Sequence, residues 1–221
     1  MIFFILGFAP GIYWLWYFYK RDTLEPEPKK LVIRSYFLGI LTAVVIIIIQ
    51  LPFQYSYIVG AVLVAPIVEE LGKFFAVKLS VYNHKEFNEP MDGIIYASAV
   101  ALGFASIENG IYLFRISVVS KYLLSNVILA RSLLSVPAHA LFSSIWGYAL
   151  GRAKFSKSKN KNLIIIAGIT LAIAFHSLFN LLCFIQIYSS IGLLILIAIM
   201  WQIINKKISK AIERSPLKRK K

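Results

Sequence analysis

The chain has 221 residues, of which 59% are hydrophobic, with a formal charge of +14 and a mean hydropathy of +0.73. Soluble domains are usually ~45–50% apolar. Here the excess lies in runs long enough to span a hydrocarbon core of ~30 Å, which leaves no room for a separate soluble domain. The charge does not mark a nucleic-acid partner, because Lys and Arg sit in loops between the apolar runs and in the tail, where they orient the chain and meet anionic lipid headgroups.

The runs predict an all-α, polytopic transmembrane bundle with seven spans, at 2–19, 31–51, 57–79, 91–114, 122–150, 163–185 and 187–204. The first is not a secretory signal, since it lacks a basic start and an Ala-x-Ala end. It carries Trp14, Trp16, Tyr17 and Tyr19 as an interfacial aromatic belt. Glu25, Pro26, Glu27 and Pro28 form a short stiff loop after it. Span four carries Gly93, Ala97, Ala101 and Ala105 four apart, a face on which a neighbouring helix packs closely. Span five contains Pro137, which predicts a kink or a short surface helix at its start. Only a short turn near 188–190 separates the last two spans. The single cysteine, Cys183, excludes an internal disulfide.

Orientation follows from the basic loops. Most of the 24 Lys and Arg fall in the segments 20–34, 78–85 and 152–161 and in the tail, whereas the opposite side holds only Arg115 and Lys121. Positive loops stay in the cytoplasm. This predicts an N-terminus outside, a cytoplasmic C-terminus, one membrane domain at 1–205 and a basic cytoplasmic tail at 206–221. The pattern fits a prokaryotic plasma membrane.

An ionisable group at the centre of a span costs about 2.5–3.5 kcal/mol on insertion scales, so each one asks for a reason. Span three has Glu69, Glu70 and Lys73. Both carboxylates are within one turn of the ammonium, which can pair with one and leave the other without a partner in its own helix. Span four has Glu108 and Asn109, span five Arg131 and His139, and span six His176 and Asn180 on one face. Counted along the spans, Glu69, Glu108, His139 and His176 come to similar depth, between the midplane and the outer surface. Such a set can hold a water, a metal ion or a proton path. A desolvated Glu can serve as base or acid. Alternatively His139, His176 and Glu108 can ligate Zn²⁺, which lowers the pKa of bound water to ~7. There is no His-Glu-x-x-His and no Gly-x-Ser-x-Gly, and the chain's two Asp, Asp22 and Asp92, do not make an intramembrane pair. Lys73 and Arg131 read as structural partners, and Asp92 as an acid suited to a helix N-terminus. His84 has no assigned role, and Ser135 and Ser143 read as bonding the backbone.

Four segments carry a resemblance. Glu-Glu-x-x-Lys at 69–73, the run from Met91 to Asn109, Pro-Ala-His-Ala-Leu-Phe-Ser at 137–143 and His-Ser-Leu-Phe-Asn at 176–180 together resemble the PrsW family of intramembrane proteases. They are more distantly similar to the CAAX prenyl protease group, although Lys73 departs from that group's usual Arg, one step further along. The resemblance covers roughly residues 10–185. It implies a hydrolase, classed with metalloproteases, that uses Glu69 and Glu70 with Glu108, His139 and His176 completing the site; Asn180 can support an oxyanion or bond across helices. The resemblance also implies a membrane-anchored substrate such as an anti-sigma factor, and the outer-half depth of the polar set predicts cleavage near the extracytoplasmic end of a single-span partner. The competing reading is a proton-coupled transporter or channel, which the absence of inverted repeats disfavours. A catalytically inactive scaffold is disfavoured by the retained Glu/His set.

Overall fold

A computed structural model describes residues 2–51, 57–185 and 189–220 of the chain, and no strand occurs among them. We number seven long helices: α1 Ile2–Tyr19, α2 Lys29–Gln50, α3 over 57–80, α4 Pro90–Val119, α5 Lys121–Phe155, α6 Lys161–Ile185 and α7 Ser189–Glu213. Of these, α2, α4, α5, α6 and α7 are long and apolar enough to cross a membrane. The turn expected near 188–190 lies partly outside the described residues.

The central helix is α4, packed against α1, α2 and α5. In its most apolar window 83% of residues are buried, against 22% in α6, so α4 is a core element and α6 presents most of its surface to lipid. Leu41, Val45 and Ile48 on α2 and Ile195 on α7 are also exposed on the outside. Lipid tails are as apolar as leucine, so these helices hold together through close backbone approach and interhelical polar contacts. The small stripe on α4 supplies the approach to α5, and Gly103 on another face supplies the approach to α2. A methyl group on Gly93 would overlap the Gly147 carbonyl oxygen on α5, and one on Gly103 would overlap the Tyr36 carbonyl oxygen on α2. Neither backbone can yield without parting two helices. Gly93→Ala should therefore lower stability by roughly 1–3 kcal/mol, the usual cost of overpacking. A melting temperature in detergent equal to that of wild type would refute this.

Two helices share a departure from regular α geometry. In α3 a π-helical turn at Gly60–Val64 precedes Ala65–Ser80, and in α5 a π-helical turn at Arg131–Ser135 precedes Val136–Phe155. Each stands just before a proline, Pro66 or Pro137, which has no N–H to give and crowds the preceding turn. Widening the turn absorbs the conflict: the Ala65 and Val136 N–H groups reach back to the Gly60 and Arg131 carbonyls. The kink expected from Pro137 is thus realised as a π-turn. The short surface helix is not, because Leu124–Ala130 runs directly into that turn.

The basic tail is also more ordered than the sequence suggests. Helix α7 continues to Glu213, and Ile208, Ala211 and Ser215 are buried against the bundle. Arg21 donates to Asn205, and Arg214 to the Tyr148 hydroxyl at 3.4 Å. The apolar residues between the lysines pack inward, while Lys206 and Lys210 point outward.

Candidate active site

The site is built where α3, α4, α5 and α6 meet. Glu70 is its fixed centre, fully buried and approached by four donors. Oε1 accepts from Lys73 Nζ at 2.8 Å and lies 3.1 Å from His176 Nδ1. Oε2 accepts from Ser143 Oγ at 2.8 Å and Trp146 Nε1 at 2.9 Å. A carboxylate has about four lone-pair sites, and all four are engaged. Glu70 therefore has no capacity left for a water in this arrangement. It binds α3, α5 and α6 into one polar network.

Glu69, its chain neighbour, differs in every respect. It lines a cleft of about 500 Å³ together with Gln50, Glu108, Asn180 and the π-turn residues Gly60 and Ala61. Its Oε1 accepts from Gln50 Nε2 at 3.3 Å. Its Oε2 is buried without a hydrogen-bond partner, 3.6 Å from Lys73 Nζ and 3.8 Å from His176 Nε2. Successive residues on a helix point about 100° apart. One carboxylate faces the protein interior and the other the cleft.

Lys73 is fully buried, and its ammonium bridges Glu70 and His139 Nδ1 at 3.2 Å with the Phe104 ring 4.5 Å away. Across the ring, His139 Nε2 lies 2.9 Å from Glu108 Oε2. Glu108 Oε1 pairs with Arg131 Nη2 at 3.0 Å, and Arg131 Nε donates to Asn109 Oδ1 at 2.8 Å. Arg131 and Lys73 thus pair with carboxylates of the site. The rings of His139 and His176 meet edge to face at 5.1 Å, and Phe142 stacks on His176 at 4.7 Å. These contacts lock both imidazoles in place.

Glu69, Glu70, Glu108, His139 and His176 are thus brought together. Asn180 lies on the cleft wall, one turn beyond His176, and its Nδ2 donates to the Ala61 carbonyl at 2.8 Å. That carbonyl belongs to the π-turn of α3, so Asn180 ties α6 to the irregular backbone. Ser143 does not bond the backbone as its spacing suggested; with an acceptor as strong as Glu70 in reach, it points across to α3. Trp146 and Gln50 were missed. The spacing 139, 143, 146 repeats one helical face and was a usable signal for Trp146. Nothing local marks Gln50, which meets Glu69 from another helix.

The residues also fit a metal ion. Glu69, His139 and His176 each offer one ligand atom, all within 4.8 Å of one another and all buried. Glu69 Oε2 is an unpartnered anionic oxygen, and two imidazoles with a carboxylate suit zinc. This group contains Glu69 where the sequence suggested Glu108, which is instead engaged by Arg131.

Comparison with known proteins agrees with this architecture. The family model described as PrsW family intramembrane metalloprotease matches residues 27–204. The chain is similar to Protease PrsW of Geobacillus kaustophilus, 42% identical over 70% of this chain and 68% of the relative. It is also similar to Protease PrsW of Bacillus subtilis, 37% identical over 79% of this chain and 77% of the relative. Protease PrsW of Oceanobacillus iheyensis is 34% identical over 95% of each chain. No solved structure matches the chain. Together with the apolar helices these likenesses make it a multi-pass protein of the cell membrane, a membrane protease acting on membrane proteins. The chain belongs to the PrsW family of intramembrane metalloproteases.

Proposed function

We propose that the chain is an endopeptidase that cuts single-span membrane-anchored proteins, anti-sigma factors among them, near the extracytoplasmic side, with Glu69 as the group that activates water. The observation carrying this reading is the division of labour in the glutamate pair: Glu70 is saturated, whereas Glu69 Oε2 is buried, unpartnered and on the cleft wall. A water between Glu69 Oε2 and His176 Nε2, 3.8 Å apart, can touch both. Glu70 accepts from the Nδ1–H of His176, which leaves Nε2 as an acceptor toward that water. Glu69 takes the proton as the water oxygen attacks the scissile carbonyl, and returns it to the departing amine. Asn180 has a second amide N–H for the developing oxyanion. Glu108 and Lys73 orient His139. A zinc ion, when bound, would be held by Glu69, His139 and His176 and would supply a water of pKa ~7.

Seven spans with the N-terminus outside would place the cleft in the outer half of the bilayer. Substrate helices are protected by their own backbone hydrogen bonds and must unwind locally to enter. Purified protein should cleave a panel of single-span proteins, with fragments ending toward the extracytoplasmic side. Fragments ending on the cytoplasmic side would contradict the orientation. Loss of cleavage on chelation, restored by added Zn²⁺, is the expected metal dependence; undiminished cleavage in chelator would leave Glu69 acting alone.

A further inference from the structure

A second group of buried acids lies away from this site, where the loop after α1 meets the start of α4. Asp22, Glu27 and Asp92 each offer a carboxylate oxygen, and these lie within 4.8 Å of one another. All three are at least 96% buried. Their existing partners are few. Glu27 Oε2 accepts from the Tyr96 hydroxyl, and Asp92 Oδ2 accepts from the backbone N–H groups of Asn88 at 2.6 Å and Glu89 at 2.7 Å. The Glu27 and Asp92 carboxyls also bond to each other, and the Glu27 backbone bears on Asp22, but both oxygens of Asp22 and Oδ1 of Asp92 stay buried without a well-aligned donor. Among the described residues no Lys, Arg or His forms an ion pair with any of the three. Lys154, whose charge bears on Asp92, gives its ammonium to the Tyr82 and Phe87 carbonyls instead. Glu89 adds a fourth buried carboxylate beside the group.

Three carboxylates converging without an ion-pair partner are costly, because each is desolvated and repels the others. Burial, with the charges of Glu89 and Asp92, pushes the Asp22 carboxyl up to about 8. Burial likewise pushes Glu27 up to about 7. The donor set is all oxygen, with no imidazole or thiolate, which suits hard cations rather than zinc. We infer that Asp22, Glu27 and Asp92 form a binding site for a hard divalent cation, Ca²⁺ or Mg²⁺, separate from the protease site. Asp92 and Glu108 are sixteen residues apart on α4, about 24 Å at the helical rise. The cation would clamp the loop between α1 and α2 to the first turn of α4, the helix that carries Glu108 further along.

The test uses full-length protein in detergent, stripped with EDTA and then given Ca²⁺ or Mg²⁺. A Glu69→Gln/His176→Ala background silences the other candidate metal site. At about 100-fold over Kd, either ion should raise the melting temperature by roughly 5 °C. Calorimetric titration should show one saturable site. Asp22→Asn keeps the shape of the side chain and removes its charge, so it should abolish the ion-dependent rise. In EDTA the same variant should melt no lower than its parent, because it relieves repulsion in an ion-free cluster. No ion-dependent rise in the parent, with either ion, would mean that protons alone neutralise the cluster and would overturn the assignment. An equal rise in Asp22→Asn would overturn it too, by placing the ion elsewhere. The choice between the two ions follows from which gives the larger rise at equal concentration.

Discussion

Glu69→Gln should reduce cleavage by about 10³-fold, within the usual contribution of a general base, and leave the melting temperature little changed. Gln keeps the size of the side chain and can keep an oxygen on Gln50 Nε2. What it removes is the charge on Oε2, the oxygen that has no hydrogen-bond partner to lose. The 3.6 Å approach to Lys73 Nζ loses its charge, but Lys73 keeps its 2.8 Å pair with Glu70, so no buried ammonium is left alone and the cost to the fold is small. The amide cannot take a proton from water, however, and cannot hold a metal as a carboxylate does. Initial rates on one single-span substrate, with a melt of the same preparation, check both halves. Cleavage within a few-fold of wild type would remove Glu69 from the chemistry.

Glu70→Ala should instead destabilise the protein by about 3–5 kcal/mol, the cost of breaking a buried ion pair by deleting one partner. The truncation leaves Lys73 fully buried beside an empty space. It also strips the acceptor from Ser143, Trp146 and His176 at once. Glu70→Ala and Glu69→Gln will therefore look alike in a cleavage assay and different in a melt. The expected readings are a low yield of folded Glu70→Ala protein, an early unfolding transition and loss of cleavage. A Glu70→Ala variant that melts like wild type would show that the four contacts do not hold the bundle together.

The helical membrane fold was legible because apolar runs of about 20 residues have few other uses. The convergence of Glu69, Glu70, Glu108, His139 and His176 was legible because ionisable groups inside spans are rare enough to be counted. What stayed hidden depended on which way side chains turn. The adjacent pair at 69 and 70 reads as two equivalent acids, and only the packing of α5 and α6 over one face separates them. Ser143 reads as a helix serine until Glu70 is placed opposite it. The group of Asp22, Glu27 and Asp92 unites residues up to seventy positions apart, two in a loop and the third at the mouth of an apolar run. The fold of the tail was obscured by its charge, which masks the inward spacing of Ile208 and Ala211.

The two π-turns set the angular phase of the residues that follow them. A π-turn amounts to one residue inserted into an α-helix, and each residue advances the helix by about 100°. Everything downstream of 60–64 in α3 and of 131–135 in α5 is therefore dialled round by that amount relative to an unbroken helix. Glu69, Glu70 and Lys73 follow one such turn, and His139, Ser143 and Trp146 follow the other. Closing either turn to regular α geometry would leave the length, composition and hydropathy of the span intact. It would also swing the downstream polar face away from its partners and toward the hydrocarbon.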